Sequence, residues 1–537
     1  MTITTPIPRT RQDDVASDDD HAAAQNAGRF SPPYVPEIKR WLGADWRRAA
    51  AIGVATAALW GLLCAWWIPR SPLTTSQVLI SMAVSFMVGA LAGGVTRSRW
   101  AMLVAPVTFA VVFELARIGT DGPSVDGPHF STYGTLALVV GRGFHGLVSL
   151  APMALGAAWA AGAARRFAPA ATGSAARTSR WGYARRSAAV VGTVAMIGLA
   201  VLIARPAATD AIVDADGNRL AGSVAELTTV EVNGNDLALL IRGHSIENPV
   251  LLFLAGGPGG SEMGAMRNHL PALEEHFTVV TFDQRGSGKS YPAIDPTSTL
   301  TPESSVDDAI AVTSYLRNRF ETDRIYLVGQ SWGSIVGVLA VQDHPELFEA
   351  FIGVGQMVSP VETDRIFYTD TLAWARETGN TGLVGDLEAI GPPPYDDMLN
   401  YEIALSHEHE VYPYDHSGNS EGEGGFSENL FVEEYTLAEQ IHLLGAFMDS
   451  FQILYPQIQD VDFRATATEF EVPMFFAQGA HEAGGRAEPF AEWYPTITAP
   501  FKDTVDFETS GHRAMFEQPD EFVTYMVDVV LAESSDR

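Results

Sequence analysis

The apolar and polar positions of this chain follow two different periods, and the change falls near residue 205. Ahead of it, apolar residues run almost unbroken over about 49–68, 78–95, 101–116, 144–164 and 188–204. A bilayer crossing needs ~20 mostly apolar residues, within a working range of about 17–25. The first and fourth runs meet that length comfortably. The second and fifth lie near its lower end, and the third needs its flanks. The pattern predicts an all-α transmembrane region over 49–204 with about five helices. Residues 1–48 are polar, carry Asp18-Asp19-Asp20 and scattered Pro, and read as a disordered cytoplasmic tail. A cleaved signal peptide is excluded, because the first run starts too late and further runs follow it.

From Leu227 the period shortens. Thr228–Val232 and Leu237–Ile241 alternate around Asn233-Gly234-Asn235, the signature of a β-hairpin. Val250–Leu254, Thr278–Phe282, Ile325–Val328 and Ala350–Val354 are short apolar runs of buried-strand type, whereas Ser305–Phe320 has helical spacing. Strands alternating with helices imply a mostly parallel sheet. About 110 residues separate Ala350–Val354 from the next strand-like run, Met474–Ala477, too many for a simple connection. Helical character at Leu372–Arg376, Met398–Leu405 and Leu437–Leu454 makes this stretch a helical cap. The expected organisation is a core in two parts, 205–357 and 466–537, with the cap over 358–465.

Charge sharpens the division. Residues 1–204 hold 18 Lys+Arg against 10 Asp+Glu, and residues 205–537 hold 16 against 55. So acidic a surface repels nucleic acid and anionic headgroups, which argues against either as a partner of the C-terminal half. Among the spans, one set of connecting segments carries 15 basic residues, and the alternate loops carry Arg70 and Arg117, with Arg142 at the start of the fourth run. That asymmetry places the N-terminus inside, and an odd number of spans then puts everything after Arg205 outside the cytoplasm of a multi-pass cell-membrane protein. Arg142 and His145, at the start of the fourth run, read as snorkelling groups at a helix end. Cys64 is the only cysteine, so no intramolecular disulfide forms.

Three motifs carry chemistry. Gly329-Gln330-Ser331-Trp332-Gly333 lies between the strand Ile325–Val328 and an apolar helix, the setting of a nucleophile elbow. Ala255-Gly256-Gly257-Pro258-Gly259-Gly260 follows the strand Val250–Leu254. Its backbone N–H at Gly257, with that of Trp332, is the candidate oxyanion hole. Glu482 and His512 each follow a strand-like run, and the order Ser331, Glu482, His512 suits a nucleophile, an orienting carboxylate and a general base. Together these specify an α/β-hydrolase fold with a helical cap, preceded by the transmembrane region. Gly286-Ser287-Gly288-Lys289-Ser290 fails as a phosphate loop, because Asp283 occupies the position that requires glycine. His407-Glu408-His409-Glu410 alternates on too short a stretch to converge on one ion, so neither a metal nor another cofactor is expected.

The chain resembles the prolyl aminopeptidase (proline iminopeptidase) group of α/β-hydrolases over about 227–522. The resemblance rests on Ala255 to Gly259, on Asp283-Gln284-Arg285-Gly286-Ser287-Gly288-Lys289-Ser290, and on Gly329 to Gly333. Two positions depart from the group: Ala255 stands where it has histidine, and Glu482 where it usually has aspartate. The resemblance implies a serine exopeptidase on short peptides, with cap carboxylates holding the substrate's free amine. Glu433 and Glu434 are candidates for that role, alongside Glu402, Glu408, Glu410 and Glu439. The expected function is a membrane-anchored serine hydrolase that cleaves an acyl bond through an acyl-enzyme. The alternatives are an esterase or amidase acting on a small molecule at the cell envelope, and a non-catalytic sensor. The expected partners are a short peptide or small acyl substrate and the lipid around the N-terminal helices. Oligomeric state is left open.

Overall fold

The computed structural model describes residues 46–125, 129–166, 180–415 and 428–535. The polar tail expected over 1–48 lies almost wholly outside these residues. Five helices follow: α1 (Trp46–Trp67), α2 (Thr75–Thr96), α3 (Ala101–Ala116), α4 (Thr132–Arg166) and α5 (Arg180–Ile203). Four of them are long and apolar enough to cross a membrane. The third run forms a helix of only 16 residues, because Arg99 and Arg117 close it at either end and its flanks do not extend it.

Small residues let these helices approach closely. A Cβ at Gly89 or Gly93 of α2 would run into the backbone of Met153 or Ala157 of α4, and one at Gly156 into Phe86. Where lipid offers no hydrophobic drive between helices, such packing supplies the association energy. Trp60 of α1 adds an indole N–H donated to Ser85 Oγ at 2.9 Å.

Eight strands form one sheet in the order β1-β2-β4-β3-β5-β6-β7-β8. They are β1 (Val224–Val232), β2 (Asn235–Gly243), β3 (Val250–Leu254), β4 (Thr278–Asp283), β5 (Ile325–Gln330), β6 (Phe348–Val354), β7 (Met474–Gly479) and β8 (Lys502–Phe507). The first two pairings are antiparallel and the remainder parallel. The β1–β2 turn is the two residues Asn233 and Gly234, at φ 50° and 76°. Positive φ at both suits a hairpin whose turn must follow the right-handed twist of its strands. Strands β3 to β6 are almost wholly buried, with helices on both faces.

The cap occupies the chain between β6 and β7, including helices Pro360–Glu377, Thr381–Ile390, Leu399–Leu405 and Leu437–Leu454. The last of these packs on α2, α4 and α5 as well as on the core. Its Leu437, Ala438 and Ile441 join Val78, Met82, Phe144 and Ile203 in one apolar cluster.

An ion network pins the same junction. Arg70, in the α1–α2 turn, donates to Asp449 of the cap at 2.6 Å and to Asp295 of the core at 3.0 and 3.1 Å. Asp449 also accepts from Ser124 N, Ser124 Oγ and Tyr291 Oη at 2.6–2.8 Å. Arg117 is buried and paired with Glu114. The two basic residues that break the charge asymmetry of the loops are thus consumed inside the protein. Arg142 donates to the Val125 carbonyl at 2.6 Å, and His145 is buried edge-on to Phe113, so protein rather than the water interface receives both.

Candidate active site

Ser331 sits between β5 and helix Trp332–Asp343 at φ 53°, a region that side chains other than glycine rarely adopt. Strain of this kind costs of order 1–3 kcal/mol and persists where the surroundings enforce it. The flanking glycines show the enforcement. A Cβ at Gly329 would strike the Gly333 carbonyl, and one at Gly333 would strike the Leu254 carbonyl at the end of β3. Ser331 N donates to Val354 O at 3.0 Å, tying the turn to the end of β6. The hydroxyl is therefore presented at the C-terminal edge of the sheet, over the N-terminus of a helix whose first N–H groups have no intrahelical partner.

His512 and Glu482 reach the same edge from the loops after β8 and β7. Those loops are bound to each other through Ala480 N to Phe507 O and His481 N to Ser510 O, each at 2.9 Å. His512 Nδ1 and Glu482 Oε2 lie 2.7 Å apart. The other oxygen of Glu482 accepts from Ala483 N at 2.9 Å and Arg486 Nε at 2.7 Å. Burial works to raise the pKa of this carboxyl, but Arg486, then His512, with the hydrogen bonds of both, brings it down to about 2. Since folding lowers this pKa, the ionised carboxylate contributes stability in full above its ordinary value of 4.5. That contribution is lost as the pH falls through about 2. Glu482→Gln is expected to flatten the pH dependence of unfolding across that window, as followed by near-ultraviolet circular dichroism.

Several side chains hold this arrangement that sequence reasoning did not single out. Gln284 donates to the Ala255 carbonyl at 2.9 Å and accepts from the Trp332 indole at 3.0 Å, joining the glycine loop to the elbow. That is how the loop is positioned with alanine at 255. Glu517 accepts from Gly511 N and Arg513 N on either side of His512, at 3.0 and 3.1 Å. Arg486 also pairs with Glu408 of the cap, so a chain of charges runs from the cap through Glu482 to His512. The only advance signal for these groups was their place inside or beside a motif.

Ser331, Trp332, Gly257 and His512 line one cavity of about 770 Å³. The cap carboxylates fall differently from expectation. Glu433 is exposed, and Glu434 is buried against Arg267; neither is among the residues lining the cavity. The chain turns there so that Lys289 and Arg267, rather than the cavity, collect the acidic groups. The carboxylates that do line it are Glu262, Asp364 and Glu408. Asp364 receives Tyr455 Oη at 2.8 Å on one oxygen and no hydrogen bond on the other. Burial pushes its pKa up to about 7. In the His407–Glu410 stretch, Glu408 turns to Arg486 while His407 lies against Trp374. Among the described residues, no group of three or more His, Cys, Asp and Glu side chains is placed to hold a metal.

A family model described as the alpha/beta hydrolase fold matches residues 249–378. A probable aminopeptidase of Bacillus subtilis is 29% identical over 304 residues, covering 56% of this chain and 94% of that protein. A probable proline iminopeptidase of Leptolyngbya boryana is 30% identical over 158 residues, 29% of this chain and 46% of that protein. Among solved structures, a proline iminopeptidase-related protein from Thermus thermophilus overlaps 57% of this chain and 98% of its own, at 21% identity and a TM-score of 0.41. These similarities support the prolyl aminopeptidase-like family of α/β-hydrolases for this chain, which carries ahead of that fold a region of helices apolar enough to span a membrane.

Proposed function

We propose that the protein is a membrane-held serine hydrolase that cleaves an acyl bond through an acyl-enzyme at Ser331. The observation that carries the reading is the strained elbow serine sharing one cavity with a histidine already paired to a buried carboxylate. Ser331 Oγ attacks the substrate carbonyl and gives its proton to His512 Nε2. The N–H groups of Gly257 and Trp332 receive the oxyanion. Collapse breaks the acyl bond, and the leaving amine or alcohol takes the proton from His512. Water then repeats the sequence and frees the acid. Glu482 fixes the tautomer of His512 and stabilises its cation.

The names of the relatives favour an exopeptidase acting on short peptides, as does a carboxyl that the cavity leaves half-satisfied. Asp364 takes the role first given to Glu433 and Glu434, as partner of the substrate's free amine. Asp364→Asn is expected to raise KM for aminoacyl anilides tenfold or more and to leave KM for simple esters unchanged. A panel of prolyl, alanyl and other aminoacyl anilides beside short-chain esters, given to the full chain in detergent, tests the whole reading. Anilide cleavage supports the exopeptidase, ester cleavage alone supports an esterase, and silence from folded protein overturns both.

The charge asymmetry of the loops supports an extracytoplasmic hydrolase half. Its α1–α2 and α3–α4 contacts and the end of α5 all lie on one side of the helices. A protease added to intact cells is expected to reach the exposed surface loops of residues 205–537; protection there, with cleavage only in inverted vesicles, would reverse the orientation.

A further inference from the structure

The wall of the catalytic cavity is partly built by a membrane helix. Tyr133, Leu136 and Val140 of α4 line the same cavity as Ser331 and His512. At 1.5 Å per residue, the 35 residues of α4 extend ~52 Å, while a bilayer's hydrocarbon core is ~30 Å thick. Its 24-residue portion Gly143–Arg166 suffices to cross, so Tyr133 to Val140 stand at the level of the lipid headgroups.

The mouth beside this helix is apolar and exposed. Phe431 is 89% exposed, and Tyr133 and Leu136 are each 45% exposed, yet all three line the cavity. Leu444, Phe447 and Ile335 line the same cavity as Ser331. Large apolar side chains left open in this way mark a surface that meets lipid or an apolar ligand. Leu437 and Ile441 belong both to the cavity wall and to the cluster formed with α2, α4 and α5. The apolar path from the nucleophile therefore runs continuously to the membrane helices.

We infer that the substrate is an acyl amphiphile drawn from the bilayer, its scissile carbonyl at Ser331 and its alkyl chain along Leu136 and Val140. The inference rests on Ser331 being the nucleophile. The polar end, amine-bearing or not, then points toward Asp364 and Arg513, which line the same cavity.

Covalent probes test it. Full-length protein is reconstituted in phosphatidylcholine vesicles and treated with fluorophosphonates carrying an ethyl or a dodecyl chain. In labelling, Ser331 Oγ bonds to phosphorus, fluoride leaves, and His512 takes the proton. The dodecyl probe is expected to label at least tenfold faster than the ethyl probe. It is also expected to label faster when delivered in the same vesicles as the protein than in separate ones. Leu136→Trp and Val140→Trp should each bring the dodecyl-to-ethyl ratio close to one. Val139→Trp, one residue along the same helix but outside the cavity wall, should preserve it. Because the readout is a ratio within one preparation, partial misfolding does not imitate the result. Equal rates for both probes in the unmodified protein would overturn the inference while keeping the serine mechanism. Equal rates from shared and separate vesicles would overturn entry from the bilayer. Failure of either probe to label Ser331 in folded protein would overturn the mechanism and the inference with it.

Discussion

Ser331→Ala is expected to lower kcat/KM for acyl hydrolysis by about 10⁴-fold or more, with the fold retained. Alanine leaves the turn's backbone and the two glycines that shape it untouched, so the loss reports chemistry and not unfolding. Glu482→Ala should cost less, because the histidine keeps its place through the Gln330 contact to its carbonyl at 3.4 Å while losing the group that sets its tautomer. Stopped turnover with an unchanged circular dichroism spectrum would sustain Ser331 as the nucleophile. Turnover within tenfold of the parent would remove it.

The largest expected effect on stability lies far from that serine. Asp449→Ala should destabilise the protein by about 3–5 kcal/mol, the range for removing one partner of a buried ion pair. It leaves Arg70 buried with Asp295 alone and strips the acceptor from Ser124 and Tyr291 at once. Thermal unfolding in a fixed detergent should show the loss, and Asp449→Asn, which keeps the shape, should show less of it. An unchanged Tm for Asp449→Ala would mean that the junction of helices, cap and core is held by apolar packing alone.

The framework of the fold was legible because each of its parts is local. Asn233-Gly234 announces its hairpin, and Val250–Leu254 coincides with β3. Gly329 to Gly333 can be read as an elbow because a strand and a helix flank it within a few residues. Glu482 and His512 were readable as candidates from chain order and preceding strands, and the structure brings them into hydrogen-bond contact. What could not be read depends on where distant segments cross. Glu433 and Glu434 sit in an acidic stretch with no periodicity to aim them, and Arg267 and Lys289, far away in sequence, decide which way it faces. The roles of Gln284 and Glu517 reside in side-chain hydrogen bonds that no spacing encodes. The attachment of the cap to the helices was equally hidden, since Arg70 and Asp449 are 379 positions apart.

That attachment bears on how the enzyme matures and how it ends. A chain whose hydrolase half emerged before its helices had settled in lipid would present Asp449 without its cation and a catalytic cavity short of one wall. On the proposed function, folding of the active form is expected to follow insertion, and activity to be confined to protein that has reached its membrane. For the same reason, a protease cutting between α5 and β1 would discard the enzyme rather than liberate it: a shed hydrolase half should be found inactive, and the cut would serve as an off-switch.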